Sequence, residues 1–533
     1  MARPHPAHII TDDSAIGGKI IEKSVRCNLA DNAYFTRTSD EAGDRRTFTL
    51  SGWFKFYKPD DDQVDFIWMC GDSPSNQLQV SREGVTQINF EPKNSGSTAA
   101  RFYTKTKFRD HSWYHLVLKI DTTQSTESDR MAFYVNGVQE DYDTDIVATT
   151  YPSQNLELKW GENSISYVIG RRTHSGYEGN ADMQVADLHY VSGYAYDPTA
   201  FGYFDDQTGI WRPKKYTGSY GSAGWHLEFK DNSATTATTL GKDTSGNGNN
   251  WTPTNISTHD VLPDTPTNVF CTHSPLDDDH TSASAFSEGN LKIVRTGNNH
   301  GSTRGTMGMS SGKWYFEYCY TSTTNSGAAP WVGVCNSTAD ITGFRTSGMW
   351  NYGSSSGQYL VRDGTSYDWG SAISGGTVLG VAIDMDNKKI WIAENNTWFG
   401  SSNNDTDGNP STGANPTDTF ADSDIPDGNL YPQMGSYSYD AIKANFGQDS
   451  SFSGTKTFTS EVNIVNTYAR LNLKGGGSAN NHSIDFYDAN GSNLKGRITY
   501  MISSNQMRLQ ANSADQLYIT DGAIYPPVDS DVD

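Results

Sequence analysis

FTLSGWFKF, residues 48–56, places an apolar residue or a glycine at every second position of one face. A period of two is the side-chain repeat of a β-strand, so this stretch predicts a strand with one buried side. The alternation recurs in YHLVLKI at 114–120 and in MAFYV at 131–135, and the Asn-Gly that follows favours a type I′ hairpin turn. Helix start and stop signals around a 3.6-residue apolar stripe are absent, so we predict an all-β chain in several modules.

The composition of the 533-residue chain excludes several classes of protein. Aromatic residues make up 12% of the sequence, and such a content argues against disorder. No stretch sustains apolar residues at heptad spacing, which excludes a coiled coil. The formal net charge of −22 argues against binding nucleic acid or an anionic membrane surface through bulk electrostatics.

The cysteines and the N-terminus bear on the cellular compartment. The 5 cysteines are scattered and form no C-x-x-C pair, so we expect buried free thiols in a chain made in a reducing cytoplasm. No apolar run approaches the ~20 residues that a membrane span requires. Residues 1–10 lack the pattern of a secretory signal. We therefore expect neither a membrane span nor a signal peptide.

Shifts in composition divide the chain into domains. Residues 256–284 are rich in turn formers and poor in periodic apolar residues, which is typical of a linker. A second polar stretch, residues 448–457, precedes a segment in which short predicted strands contain few large apolar residues. The predicted organisation is an N-terminal extension at 1–23, a first module at 24–255, a linker at 256–284, a second module at 285–449 and a C-terminal segment at 455–533.

Four motifs follow one another in the first module. They are WYHLVLKID at 113–121, FYVNG at 133–137, IGR at 169–171 and the stretch 179–190. This succession resembles a laminin-G-like, concanavalin-type β-sandwich. DTSGNGNNW at 243–251 is similar to the versions of that domain in marine bacteriophage structural proteins. The resemblance implies two packed sheets whose concave face and loops meet a ligand, often a glycan and sometimes through calcium.

The first module offers no distinctive set of carboxylates for calcium. His111 and His115 flank a predicted strand. Four residues of extended chain span ~13 Å at 3.3 Å per residue, which is too far for two ligands of one metal. We expect both histidines to be surface or packing residues.

Six motifs of the second module occur in a recognisable order. They are KWYFEY at 313–318, WVGV at 331–334, LGVAIDMD at 379–386, IWIAEN at 390–395, YP at 431–432 and ANFG at 444–447. In this order they resemble a SPRY domain, with Asn395-Asn396 in place of the usual Asn-Gly. The resemblance implies a compact β-sandwich that binds partners through its loops and has no catalytic residues as a class.

Five aromatic residues lie in a Gly/Ser-rich stretch of the second module. We name them as candidate ligand-binding residues: Trp350, Tyr352, Tyr359, Tyr367 and Trp369. Exposed aromatic rings stack on sugar faces or anchor a protein partner. The alternative is that these rings pack in the core or between protomers.

One loop of the second module partly matches a calcium-binding pattern. Asn403-x-Asp405-x-Asp407-Gly408 alternates oxygen ligands before a turn glycine, as an EF-hand loop does. Ala414 stands where that loop has its bidentate Glu, so we interpret the stretch as a solvated loop. No catalytic motif or metal-ligand set is recognisable elsewhere, and we predict no catalytic residue, no metal and no cofactor.

The C-terminal segment is a ladder of short strands with few large apolar residues. Examples are SIDFYD at 483–488, LKGRITY at 494–500 and LYI at 517–519. So low an apolar content cannot easily build a private core, which indicates burial against other copies of the chain. The ladder resembles the shaft and distal repeats of trimeric phage tail fibres, and the resemblance implies a homotrimer. In that family a Leu-Gly…Arg-Phe segment and often a self-cleaving chaperone domain follow the ladder, and neither is found in this sequence. This leaves open how trimers form, or whether the chain is processed after Asp533.

The combination of modules predicts a non-enzymatic virion fibre or spike, displayed on the extracellular particle. We expect it to mediate adsorption to a host-surface glycan or receptor, with other tail or head proteins as partners. Three copies with weak sites reach useful avidity on a repetitive surface. One alternative is a structural virion component without a receptor, such as a head fibre, capsid decoration or tail adaptor. A less favoured one is a glycan depolymerase, which would need two opposed carboxylates.

Overall fold

A computed structural model divides the chain into two compact units, Met1–Thr457 and Phe458–Asp533. In the first unit it describes residues 18–448, except for 58–63, 84–85, 173–178, 279–283, 296–300, 322–329, 344–345, 355–357, 369–372, 374, 403–404 and 437–440. In the second unit it describes the backbone of five strands between residues 482 and 525. In both, the regular structure is β-strand, with five single 3-10 turns and no α-helix among the described residues.

Twenty strands are described in the first sandwich. They are β1 (Ser24–Cys27), β2 (Tyr34–Thr38), β3 (Thr47–Phe56), β4 (Asp65–Ser73), β5 (Asn76–Glu83), β6 (Gln87–Asn94), β7 (Ser97–Thr98), β8 (Phe102–Tyr103), β9 (Trp113–Asp121), β10 (Met131–Val135), β11 (Val138–Gln139), β12 (Ser166–Ile169), β13 (Arg171–Arg172), β14 (Gly179–Asn180), β15 (Met183–Ser192), β16 (Gly202–Phe204), β17 (Trp211–Pro213), β18 (Trp225–Leu227), β19 (Thr252–Thr254) and β20 (Val261–Leu262). The 3-10 turns of this part are Leu29–Asp31, Glu127–Asp129, Pro198–Ala200 and Thr258–Asp260.

Two antiparallel sheets enclose the core of the first sandwich. Sheet A has the order β11-β10-β9-β3-β15-β1-β20, with β18 also paired to β15. Sheet B has the order β19-β2-β12-β4-β5-β6-β7, with β8 paired to β6. The alternating residues of β3 put Phe48, Leu50 and Phe54 into the core between the sheets. The period-two pattern therefore predicted the strand and its core side, but the expected exposed side is covered as well, since Thr49 and Lys55 are also buried.

Among the residues that the structure describes, the second sandwich has fifteen strands. They are β21 (His273–Asp278), β22 (Ser284–Ser287), β23 (Lys292–Arg295), β24 (Gly301–Gly305), β25 (Lys313–Tyr320), β26 (Trp331–Cys335), β27 (Met349–Ser354), β28 (Gln358–Arg362), β29 (Thr365–Asp368), β30 (Val378–Asp384), β31 (Lys389–Glu394), β32 (Thr397–Trp398), β33 (Asp418–Thr419), β34 (Tyr431–Ser436) and β35 (Ala441–Asn445). Sheet C has the order β21-β24-β34-β26-β27-β28-β29, and sheet D has the order β22-β23-β35-β25-β30-β31-β32, with β33 paired to β31. A fifth 3-10 turn spans Asp422–Asp424. The prediction of an all-β chain with two tandem sandwiches is confirmed.

The stretch expected to be a linker, residues 256–284, contributes strands to both sandwiches. β20 pairs with β1 of sheet A, and β21 pairs with β24 of sheet C. Between these strands Asp264 forms a buried ion pair with Lys55 of β3 and accepts a hydrogen bond from the indole N–H of Trp113. The many turn formers thus mark a change of direction, while single polar side chains anchor the stretch to the sheet.

Direct contacts also join the two sandwiches. The Arg26 guanidinium donates to the Glu288 carbonyl at 2.8 Å, and the Asn290 amide donates to the Tyr57 carbonyl at 3.0 Å. Asn290 is buried, and it also contacts His111. Buried hydrogen bonds of this kind hold their partners in one geometry. The sandwiches consequently lie in the same compact unit.

The second unit contains sheet E, an antiparallel meander in sequence order. Its strands are β36 (His482–Tyr487), β37 (Leu494–Met501), β38 (Gln506–Ala511), β39 (Ala514–Thr520) and β40 (Ala523–Tyr525). No helix of the described residues is long and apolar enough to cross a membrane. All 5 cysteines are free thiols, and Cys319 is the one that is only half-buried.

Candidate functional site

Four of the five aromatic residues named from the sequence lie in strands β27 to β29 rather than in one loop: Trp350, Tyr352, Tyr359 and Tyr367. Trp350 and Tyr352 are 2% and 0% exposed, and both rings lie in the core of the second sandwich. Tyr367 is 44% exposed, with the Arg362 guanidinium 5.0 Å above its ring. The side chain of Tyr359 and all of Trp369 lie outside the described residues.

The placement of Trp350 and Tyr352 differs from the expected loop for a local reason. Strand β27 pairs with β26 and β28, and its alternate residues face the interior. A fully buried ring offers no face to a dissolved ligand. Of the five named residues, Tyr367 is the one whose ring the structure shows exposed.

The exposed aromatic rings of the second sandwich that lie together belong to sheet D. Tyr315 of β25 is 53% exposed, and its ring lies 6.0 Å from the ring of Trp398. In the strand register Tyr315 lies opposite Ala382, and Ala382 lies opposite Trp391, so the three residues share the outer face of the sheet. We call this the aromatic groove; it has a volume of about 280 Å³ and is lined by Lys313, Trp314, Tyr315, Ala382, Ile383, Asp384, Trp391, Trp398, Pro410 and Ser411.

Small residues form the floor of the aromatic groove. A side chain placed at Gly380 would bring its Cβ to 3.5 Å from both the Tyr315 and the Trp398 rings. The missing side chain therefore leaves the space between the two rings open. The indole of Trp391 lies below and donates a hydrogen bond of 2.9 Å to the Ala414 carbonyl, which holds the loop at 410–414 against the strand.

Two charged groups lie at one end of the aromatic groove. The Lys313 ammonium is 3.5 Å from the Asp384 carboxylate, and the lysine side chain is largely exposed. Burial opposes ionisation of Asp384, but hydrogen bonds from Asn387 and the charge of Lys313 outweigh it and lower its pKa. The groove thus combines ring faces that can stack on an apolar C–H surface with an exposed ammonium donor at its edge, while the Asp384 carboxylate is buried and holds Lys313 and Asn387 in place.

A second group of functional side chains lies on the outer side of sheet A. Asp187 interrupts β15 at a β-bulge, where its φ is 50°. Its carboxylate is 2.7 Å from His226 Nε2 and 3.4 Å from His189 Nε2. The Lys19 ammonium completes the cluster at 2.5 Å from Asp187 and 3.0 Å from Glu228.

The charges of this cluster balance one another. Burial opposes ionisation of Asp187, but Lys19 and the histidines outweigh it, so its pKa lies well below the usual range. Burial lowers the pKa of His189 to about 4, which keeps that ring neutral. Burial opposes the charge of Lys19, yet Asp187 and Glu228 raise its pKa. Asp187 and Lys19 consequently form a buried ion pair with a neutral histidine beside it.

Asp187, His189 and His226 are also the residue types that bind transition metals, and their ligand atoms lie within 4.8 Å of one another. The two imidazole rings, however, stack at 4.2 Å and 10°. Because each lone pair lies in its ring plane, parallel stacked rings do not converge on one ion. The Lys19 ammonium already lies 3.2 Å from His226 Nε2. The arrangement fits a lysine as its cation and does not fit a metal.

Both histidines of the first module that sequence analysis assigned to the surface or to packing are buried. The Trp211 indole donates to His115 Nδ1 at 3.0 Å, so the ring proton resides on Nε2 and donates to Ser51 Oγ at 2.9 Å. A base that activates serine needs the opposite proton distribution. Burial also lowers the pKa of His115 to about 3. This Ser-His pair is therefore built for packing, not for nucleophilic attack.

The stretch at 243–251 closes a loop of the first sandwich. The Asp243 carboxylate accepts hydrogen bonds from the backbone N–H groups of His226, Ser245 and Asn249. The Asn247 amide donates to the Gly224 carbonyl at 2.9 Å. Its polar atoms bind the chain itself, which explains the motif without a ligand.

Sequence analysis assigned Trp314 and Tyr315 to a strand motif and did not predict that they form part of a binding site. The structure shows both side chains exposed. The sequence feature that could have revealed this site is the run of three large residues from Lys313 to Tyr315 at the start of the strand. Strict alternation predicts that at least one of them is buried, but all three are exposed. The cluster of Asp187, His189 and His226 had no such signal, since His226 is remote in sequence.

Comparison with known proteins assigns both sandwiches. The concanavalin A-like lectin/glucanases superfamily profile of laminin-G type matches residues 29–184, and the SPRY domain profile matches residues 313–449. No curated protein matches the chain.

Three solved structures are similar to this chain at low sequence identity. The SPRY domain of human HERC1 is 18% identical over 33% of this chain and 98% of that chain, with a TM-score of 0.25. A putative carbohydrate binding protein from Bacteroides ovatus is 11% identical over 45% and 60%, with a TM-score of 0.31. Domains LG4-5 of the mouse laminin alpha1 chain are 8% identical over 83% and 93%, with a TM-score of 0.28. The chain contains a concanavalin A-like domain followed by a SPRY domain.

Proposed function

We propose that this chain is a non-enzymatic fibre or spike of a bacteriophage virion that forms a homotrimer and adsorbs to a glycan on the host surface. The observation that carries the glycan part is the aromatic groove, in which Tyr315 and Trp398 flank an open floor. Sugar rings have apolar C–H faces that stack on aromatic rings, and hydroxyl groups that hydrogen-bond to carboxylates and ammonium groups. The exposed Lys313 ammonium supplies such a partner at the edge of the groove.

The virion part of the proposal is supported by the combination of modules. A concanavalin A-like domain and a SPRY domain are both binding folds, and the sequence motifs resemble those of phage structural proteins. The Ser51–His115 pair offers no activated serine, because the ring proton of His115 lies on Nε2. The chain would be made in the host cytoplasm and displayed on the particle, with other virion proteins as partners.

Binding of host envelope polysaccharide to the purified chain tests the glycan part. Tyr315→Ala and Trp398→Ala should each weaken binding of a monovalent oligosaccharide about 2- to 10-fold, because each removes an aromatic contact of about 0.5–1.5 kcal/mol. Gly380→Val should weaken it while keeping both rings, since it fills the space between them. Calorimetry or glycan-array titration measures the change.

Tyr194→Ala is the matched control, since Tyr194 is an exposed aromatic residue of the first sandwich, away from the aromatic groove. We expect it to bind as the wild type does. Equal losses in the control and the groove variants, or unchanged binding in all of them, would contradict the proposed site. Release of oligosaccharide from the polysaccharide during incubation would contradict the non-enzymatic role.

A further inference from the structure

Three aromatic side chains of the aromatic groove use their polar hydrogens within the protein. The indole N–H groups of Trp314 and Trp391 each donate to a backbone carbonyl, at 2.8 Å and 2.9 Å. The Tyr315 hydroxyl donates to the Glu317 carboxylate. These side chains therefore offer a ligand their ring faces, while their donors are already bonded.

Lys313 differs from these residues because its polar end faces solvent. Its side chain is 65% exposed, and its ammonium has three N–H donors, of which the Asp384 carboxylate at 3.5 Å can accept one. Asp384 is only 4% exposed, and it accepts hydrogen bonds from the backbone N–H and the side-chain amide of Asn387. The charged group that the groove presents to a ligand is therefore a cation.

Two exposed carboxylates near the groove are hydrogen-bonded within the protein. Asp386 accepts from the backbone N–H of Gly312 at 3.0 Å, and Asp407 accepts from the Asn415 amide at 2.9 Å. Neither belongs to the residues that line the groove. The net charge of −22 is spread over the whole chain, and charges farther away than a Debye length of about 8 Å are largely screened at physiological salt. The ammonium is consequently the charge within contact range of a ligand.

Strand geometry sets the spacing between the ammonium and the rings. Lys313 and Tyr315 are alternate residues of β25, so they lie on one face of sheet D with backbones about 7 Å apart. In the register Lys313 lies opposite Asp384, and Tyr315 lies opposite Ala382. A sugar stacked on Tyr315 therefore brings its own substituents, or those of the next sugar in the chain, to the Lys313 ammonium.

We propose that the aromatic groove selects saccharides that carry an anionic substituent, a carboxylate or a sulfate, and that Lys313 determines this specificity. The inference rests on the proposed function, since it names the class of glycan that the same groove takes. The rings of Tyr315 and Trp398 hold the apolar face of the sugar, and the Lys313 ammonium donates to its acidic group. A neutral sugar keeps the ring contacts and lacks the charge-assisted hydrogen bond.

Binding of matched acidic and neutral oligosaccharides to the full-length chain tests the proposal. The probes are oligogalacturonate and alginate oligosaccharides, each with its neutral methyl ester, and sulfated galactan oligosaccharides with their desulfated form. We expect each acidic probe that binds to bind about 2- to 5-fold more tightly than its neutral form, which is the gain from one exposed ion pair. Calorimetry measures the affinities, and the carboxylate and sulfate pairs show which acidic group the groove prefers.

Substitutions of Lys313 assign the preference to this side chain. Lys313→Met keeps an apolar stem and removes the ammonium, so it should bind acidic and neutral probes equally, as the wild type binds the neutral ones. Lys313→Arg keeps the charge and should keep the preference. Lys105→Met is the matched control, because Lys105 is 61% exposed and lies 4.0 Å from Asp141 in the first sandwich. It should bind every probe as the wild type does.

The outcomes separate this inference from the proposed function. Equal affinity of the wild type for acidic and neutral probes, with both weakened by Tyr315→Ala, overturns the inference and leaves the glycan site in place. A preference for acidic probes that persists in Lys313→Met also overturns it, because another group then recognises the acid. Binding of none of the probes, acidic or neutral, contradicts the proposed function together with the inference.

Discussion

At the scale of single residues, burial decides what the polar side chains of this protein do. Asp187 has a positive φ that few residues other than glycine adopt, although Asp tolerates it better than most. The β-bulge turns its carboxylate toward Lys19 and His226, so the backbone strain serves a buried ion pair. Histidine, lysine and aspartate together here make a charge-balanced cluster in place of a catalytic or metal site.

Buried neutral histidines predict a loss of stability in acid. Burial lowers the pKa of four of them to about 3 or 4: His111, His115, His189 and His273. The unfolded chain binds these protons near pH 6.5, so it holds more protons than the folded chain between pH 6.5 and about 3. The free energy of unfolding should therefore fall as the pH falls through this window, by about 1.4 kcal/mol per pH unit for each histidine that titrates.

Urea unfolding at a series of pH values checks this dependence. His273→Gln should reduce the slope between pH 6.5 and 4, because glutamine takes up no proton in either state. His259→Gln is the control, since His259 is exposed and lies outside the sheets, and its slope should match the wild type. Equal slopes for both variants would show that the buried histidine does not carry the effect.

At the scale of elements, strand ends and short connections position both the aromatic groove and the sandwiches. The groove exists because β25 and β30 put Tyr315 beside two residues without large side chains, Gly380 and Ala382. The connection between the sandwiches is held by Asp264, whose carboxylate lies 2.8 Å from the Lys55 ammonium. The position of this short connection thus depends on the polar contacts of Asp264 with Lys55 and Trp113.

Removal of the Asp264 charge should destabilise the first sandwich. The Asp264 and Lys55 side chains are 3% and 2% exposed, so Asp264→Asn leaves a buried ammonium without a counter-charge. We expect a loss of about 3–5 kcal/mol in the free energy of unfolding, and a smaller loss for Lys55→Met combined with Asp264→Leu. Urea unfolding followed by fluorescence measures both.

Asp141→Asn provides the comparison for this ion pair. Asp141 and Lys105 are 4.0 Å apart and well exposed, so the substitution should cost about 1 kcal/mol or less. If Asp264→Asn costs no more than Asp141→Asn, the buried ion pair does not anchor the connection.

At the scale of the whole molecule, two sandwiches share one compact unit and the C-terminal strands form another. Hydrogen bonds between Arg26 and Glu288 and between Asn290 and Tyr57 join the two sandwiches of the first unit. The net charge of −22 per chain disfavours adhesion to nucleic acid released from lysed cells. These properties suit a protein on the outer surface of a particle.

Location on a particle is the prediction at this scale. Antibodies against residues 285–449 should label purified phage particles in electron micrographs, and the position of the label should distinguish a tail from a head location. Antibodies absorbed beforehand with the purified chain are the control and should leave the particles bare. Particles without label, from a lysate that contains the chain, would contradict the virion role.

The local pattern of the sequence was sufficient for the fold class, since a period of two is a property of neighbouring residues. Residues 48–56 form a strand, and the motif order at 113–190 and 313–447 predicted the two domains that the profiles match. Exposure was not predictable in the same way. Trp350 and Tyr315 are both aromatic residues of strands, and only the packing of the sheets makes one fully buried and the other half exposed.

The sequence by itself determined an acidic, all-β chain in several modules, because alternation and turn residues act over a few positions. The two sandwiches followed from the resemblance of the motifs to known domains. Tertiary structure alone decided which side chains meet. Lys19, Asp187 and His226 come together from three distant segments, and Tyr315 meets Trp398 across β30 and β31. Such contacts depend on sheet order, which the local pattern of residues does not encode.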